Sequence, residues 1–137
     1  MDAVSRTREG ELLERPGRRA WVRTERDELV VVEAELDGGT DGAGPHLHRR
    51  HVDSFYVLDG ELELMVDGET IAAGPGTLVV AAPGVVHSFR NAFDAPARYL
   101  NTHAPGERFA EYMRRLDAGE EFDRTEYDMW DVTHPAA

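Results

Sequence analysis

The 137-residue chain contains no cysteine and no lysine. Without cysteine there are no disulfides, no thiolate zinc sites, no iron–sulfur clusters and no thiol nucleophile. Without lysine, all 15 basic residues are arginine. Schiff-base chemistry and lysine-anchored pyridoxal phosphate are therefore excluded from this chain alone. The Walker lysine of a phosphate-binding loop is missing for the same reason. Long apolar runs are also absent. The first 30 residues hold no apolar stretch of signal-peptide length. Nothing approaches the roughly 20 apolar residues that a membrane span needs. Positive charge is scarce relative to negative, and the formal net charge of −12 repels nucleic acid and anionic membranes. The expectation is a soluble, cytoplasmic protein with neither nucleic acid nor membrane as partner.

What is present suits one domain. Residues 1–19 are polar and interrupted by Pro16 and Gly17, and read as an N-terminal arm, loose or bound at an edge. From Ala20, short β segments alternate with turns. Ala20–Arg23 is a weak strand, Leu29–Leu36 a stronger one with its Val30-Val31-Val32 run. Gly38–Pro45 is a glycine-rich connection. Val52–Leu58 follows, closed by Asp59-Gly60. Glu61–Val66 alternates cleanly, and Asp67-Gly68 reads as a two-residue hairpin turn. Glu69–Ala72, Thr77–Ala81, Val86–Arg90 and Ala97–His103 complete a series expected to make a sandwich or barrel over 20–104. Over 105–137 the pattern changes. Phe109, Tyr112, Met113 and Leu116 recur at helical spacing, with Gly119 as C-cap. The acidic tail carries Phe122, Tyr127, Met129 and Trp130, too many large apolar groups for a free segment, so it should dock on the domain or on a partner subunit.

The six histidines are His46, His48, His51, His87, His103 and His134. His46 and His48 are two apart in an extended stretch, which puts both imidazoles on one face. That is a bidentate half-site for a metal. His51 falls on the opposite face by count and reads as a surface or hairpin-loop residue. His103 reads as a core or interface residue, and nothing is assigned to His134. Arg49 and Arg50 read as solvated surface groups, with steering of an anionic substrate as the alternative. Phe55, Val57, Leu62, Leu64, Val66 and Phe89 share the ligand face and would wall a pocket or simply fill a barrel.

The segments PHLHRRHVDSFYVLDGELEL and GPGTLVVAAPGVVHSFRN together resemble the two signature motifs of the cupins. His46, His48 and Gly60 match the first motif; Gly76, Gly84, His87 and Asn91 match the second. The resemblance covers roughly Leu29 to His103. Three positions depart. Thr40 stands where the first glycine is expected, proline is displaced to Pro83 with Ala82 at the family position, and Asp53 stands at the glutamate ligand. The resemblance implies an all-β, double-stranded β-helix (jelly-roll) barrel with one short C-terminal helix. It implies one divalent metal ion (Fe, Mn, Ni, Co or Zn) on His46, His48 and His87. Asp is one methylene shorter than Glu, so three arrangements stay open: Asp53 as ligand, Asp53 through a water or as a base, or His51 in its place. The small quercetin-dioxygenase-like cupins suggest a metal-dependent dioxygenase acting on a small organic molecule, in a homodimer. Non-redox isomerase, lyase or cyclase chemistry, and a non-catalytic metal- or ligand-binding module, are the alternatives.

Overall fold

The computed structural model describes residues 3–132; His134 lies outside them. Among the described residues, eleven strands form two antiparallel sheets. The six-stranded sheet contains β1 (Glu11–Arg15), β2 (Arg18–Glu25), β3 (Val30–Leu36), β10 (Ala97–Ala104), β5 (Val52–Asp59) and β8 (Leu78–Ala81), in that order. The five-stranded sheet runs β11 (Trp130–Asp131), β4 (His46–Leu47), β9 (His87–Arg90), β6 (Leu62–Val66) and β7 (Glu69–Ala73). These sheets face one another as a jelly roll, with one helix, α1 (Phe109–Asp117), after the last long strand.

Period-two burial sets the inward faces. In β10, Ala97, Tyr99, Asn101 and His103 are buried and the residues between them are not. In β5 the inward set is Asp53, Phe55 and Val57. The core joins Val32, Leu36, Phe55, Val57, Leu62, Leu64 and Tyr99, with Phe89 packed against it. Asp67 and Gly68 both have positive φ (51° and 82°) and connect β6 to β7, the geometry of a type I′ hairpin. Gly60 also needs to be glycine: its φ is +73°, and a Cβ there would lie 2.3 Å from the Pro96 carbonyl oxygen.

Some expectations change in detail. Strand formation starts at Glu11, inside the stretch read as an arm, and the weak strand is the eight-residue β2. Helix α1 ends in a Schellman motif: Gly119 N–H donates to Leu116 O at 3.1 Å and Glu120 N–H to Arg115 O at 3.1 Å. The tail docks on its own barrel. A 3₁₀ turn over Arg124–Tyr127 leads into β11, and Trp130 pairs with Leu47. Tyr127 and Met129 are buried against Tyr112, with Phe109, Leu116 and Phe122 around them. Arg49 and Arg50 are exposed, as read, and each also has a partner. The Arg49 guanidinium lies 3.6 Å from the Trp130 ring centroid, and Arg50 pairs with Glu107 at 3.3 Å. Among the described residues no helix is long and apolar enough to cross a membrane.

Candidate metal centre

The barrel brings residues from both sheets to one end. His46 on β4 is in direct register with His87 on β9. Asp53 on β5 is in direct register with His103 on β10. His48, two residues past His46, lies beside the same pair. One donor atom from each of His46, His48, Asp53 and His87 falls in a group no more than 4.8 Å across, and all four residues are buried. Such a group could hold a metal ion.

Each of the three imidazoles is fixed from behind. Nδ1 of His46 lies 2.7 Å from Gly44 O, Nδ1 of His48 2.8 Å from Asp128 O, and Nδ1 of His87 2.9 Å from Val85 O. A carbonyl oxygen only accepts, so each ring carries its proton on Nδ1 and turns the Nε2 lone pair inward. A backbone carbonyl behind the ring is a common way to orient a metal-binding histidine. Asp53 Oδ2 stands 2.9 Å from His87 Nε2 and 3.2 Å from His48 Nε2. Lone pairs that face a carboxylate at this range need a cation among them, a proton or a metal. Three imidazoles and a carboxylate suit the divalent first-row ions.

Charge follows the same geometry. Burial and the neighbouring His87 push His46 down to about 4, so it is neutral near pH 7. Burial also pushes His87 down, but the Asp53 carboxylate more than reverses this and leaves it raised. Asp53 is raised by burial and lowered by His103, His48 and His87, and it ends well below the usual carboxylate range. It is an anion ready for a cation.

The shorter Asp53 side chain already reaches the imidazoles. Its other oxygen, Oδ1, accepts from Asn101 Nδ2 at 2.6 Å. Asn91, matched to the second motif, closes a loop instead. It donates to Leu36 O and Ala95 O at 3.0 and 2.8 Å and accepts from Phe93 N–H at 3.0 Å.

His51 corrects the sequence reading. It is 2 % exposed rather than on the surface. Strand parity fails because β4 ends at Leu47 and the chain bends before β5. The Asp128 carboxylate locks that bend by accepting from Arg49 N–H at 2.9 Å and Arg50 N–H at 2.7 Å. His51 Nδ1 bonds Asp128 Oδ2 at 2.8 Å, and its Nε2 lies 2.8 Å from His103 Nδ1. His103 Nε2 then meets Asn101 Oδ1 at 2.9 Å, and its ring stacks on Phe109 at 3.6 Å. His51 therefore sits in a second group, His48–His51–His103, that also has donor atoms within metal-binding reach of one another. Burial pushes His103 down to about 3. Burial and the neighbouring His48 push His51 down as well, against the raising effect of Asp128. Asn101 and His103 were visible as inward positions of an alternating strand. Asp128 had no signal in the sequence, because its partners lie almost 80 residues away.

Comparison with known proteins agrees with this geometry. The cupin domain model matches residues 32–103, more than half of the chain. A quercetin 2,3-dioxygenase of Bacillus subtilis (strain 168) is 33% identical over 63 residues, which is 46% of this chain and 18% of that enzyme. The chain thus spans less than a fifth of that relative's length. The structure of KdgF from Halomonas sp. superimposes with a TM-score of 0.68 at 24% identity, covering 77% of this chain and 94% of that one. A Streptomyces PAC13 structure with uridine gives 0.65 at 16% identity, covering 97% and 92%. With both motif segments inside the matched region and the jelly roll around them, the chain belongs to the cupin domain family.

Proposed function

We propose that the protein is a metal-dependent enzyme acting on a small organic molecule, with His46, His48, Asp53 and His87 holding one divalent ion. The observation that carries this is the set of inward Nε2 lone pairs beside a carboxylate, at the wall of a cavity of about 290 Å³. His46, Asp53, Asn101 and His103 line that cavity, together with Phe55, Phe89 and Met113. When bound, the ion would supply Lewis-acid polarisation of a substrate oxygen and, if redox-active, a route to O2 chemistry.

The chain's own residues do the rest. Phe55, Phe89 and Met113 exclude water from the reacting end. Asn101 Nδ2 holds Asp53 Oδ1 and so aims the carboxylate. Asp53 Oδ2 is the atom placed to take a substrate proton wherever it is not itself ligated. Burial pushes the Tyr99 phenol up, which keeps it a protonated hydrogen-bond donor on the cavity wall.

Dioxygenase-type chemistry is the first form of this reading, supported by the stretch similar to quercetin 2,3-dioxygenase. A non-redox lyase, isomerase or cyclase is the second. It is favoured by the polar cavity wall, which includes Arg15, Arg18 and Arg124, and by the structural likeness to the nucleoside dehydratase Pac13. Metal analysis of purified protein tests the common part. One Fe, Mn, Ni, Co or Zn per chain is expected; a protein that stays metal-free after incubation with each ion overturns it. Oxygen uptake with flavonol or diketone substrates, set against turnover under anaerobic conditions, then separates the two forms. We also propose a homodimer. Its support is the free edge strand β8, which exposes Leu78 and Val80 beside Tyr56; sedimentation measures it.

A further inference from the structure

The cavity beside the metal centre has a second polar feature. Arg15 and Arg18 are direct cross-strand partners where β1 turns into β2. Both line the cavity that His46 and Asp53 also line. Like charges directly opposite one another on a sheet repel, and burial aggravates the repulsion. Yet Arg18 is only 5 % exposed. Its Nη2 pairs with Asp117 Oδ2; its Nε–H and Asp117 Oδ1 are both buried without a hydrogen bond, and the buried Nε–H of Arg15 has no acceptor either. Among the described residues Arg15 has no ion-pair partner at all. Buried donors without acceptors are uncommon, and each calls for a missing partner.

The local charge does not balance. Arg15 and Arg18 face one carboxylate, Asp117. Arg124 is matched by Asp131 at 3.6 Å. Asp53 is engaged by the histidines and Asn101. One positive charge is left over in the wall of a small cavity, inside a chain whose net charge is −12. Arg15 is only partly buried, so what lacks a partner is its buried Nε–H and not its whole guanidinium. A guanidinium pair with free N–H donors matches the oxygens of a carboxylate or phosphate.

We propose that Arg15 and Arg18 form an oxyanion subsite, and that the cavity takes a small organic acid or phosphate ester with its charged group on these two arginines. The rest of the molecule extends between Tyr99, Asn101, Phe55 and Phe89 toward His46 and Asp53. This deepens the metal-dependent enzyme reading and rests on it for the ligand's other end. A volume of about 290 Å³ lies near the lower bound for ligand pockets, so the ligand is metabolite-sized. An uncharged flavonol would leave the arginine donors unmet.

The test is calorimetric titration of metal-loaded protein with malonate, with inorganic phosphate and with glycerol as the uncharged control. Binding of malonate or phosphate, and not of glycerol, is expected. The preferred anion distinguishes acid from phosphate ester. Arg15→Gln is the diagnostic variant, since Arg15 makes no ion pair whose loss would unfold the chain. It should weaken anion binding about tenfold or more, and Arg18→Gln should do the same. Failure of both anions to bind, or equal binding by wild type and Arg15→Gln, overturns the subsite. The same titration in His46→Ala/His48→Ala protein separates the two readings. Anion binding that persists there and still depends on Arg15 upholds the subsite even if no metal is ever bound. Metal binding without Arg15-dependent anion binding upholds the centre and removes the subsite.

Discussion

Two histidine groups lie side by side in this barrel and are wired differently. In the first, His46, His48 and His87 each give one ring nitrogen to a backbone carbonyl, and the other nitrogens of His48 and His87 meet Asp53. In the second, His51 and His103 have both ring nitrogens engaged, in a chain from Asp128 to Asn101. The first group is open and could hold a metal ion. The second is closed on itself, and it ends on Asn101, which holds Asp53. Histidine content alone does not mark a metal site; what matters is which nitrogen is left over once the surroundings have taken theirs.

Breaking the open group should have the largest effect and should fall on metal content. In His46→Ala/His48→Ala, plasma emission analysis should show bound metal falling from one ion per chain to almost none. Far-UV dichroism and a cooperative melt should persist, because the removed rings contribute repulsion when no cation is present. A variant that keeps its metal would show that the open group is not the centre.

Breaking the closed group should fall on stability instead. Asp128 is fully buried and accepts from Arg49 N–H, Arg50 N–H, His51 Nδ1–H and Trp130 Nε1–H. Asp128→Ala strands those buried donors, which should cost about 3 kcal/mol in urea melts. Metal stoichiometry should stay at one in folded protein. Unchanged stability would mean that the tail is not fastened through this carboxylate.

The smallest effect should be a difference in acid sensitivity of the metal-stripped protein. His46 is held neutral, with its pKa lowered to about 4. The unfolded chain takes up that proton below its ordinary value near 6.5, so stability is lost as pH falls from there toward 4. Asp128 is raised by burial but lowered further by the amides of Arg50 and Arg49 and by His51, down to about 2. Its contribution, about 2 kcal/mol, is present above the ordinary carboxylate value and is lost as pH falls through 2. His46→Gln should flatten the upper window of a pH series of melts and spare the lower, whereas Asp128→Asn should remove the lower. One shared window would merge the two groups electrostatically.

Much of this was readable from residues. Alternation in Glu61–Val66, the Asp67-Gly68 turn and the helical spacing after Phe109 each set a local structure that the fold retains. The pairing of His46 with His48 followed from period two, and His87 followed from the second motif. The position of His51 was misread because the count assumed a continuous strand, whereas β4 is two residues long. Arg15 and Arg18 fell within the stretch read as an N-terminal arm, because hydropathy carries no information about which side of a hairpin closes over a cavity.

By itself, the sequence determined the chemistry available: no thiol, no amine, many arginines and enough imidazoles for a metal site. It also determined the strand faces, because side-chain alternation is a local property of the backbone. Only the tertiary structure decided how those groups are used. Whether a ring nitrogen is free or bonded depends on Gly44, Val85 and Asp128, and two of the decisive partners, Asp128 for His48 and Asn101 for Asp53, are 80 and 48 residues distant. Hydrogen bonds between such positions are set by the closing of the barrel and the docking of its tail, and no local pattern encodes them.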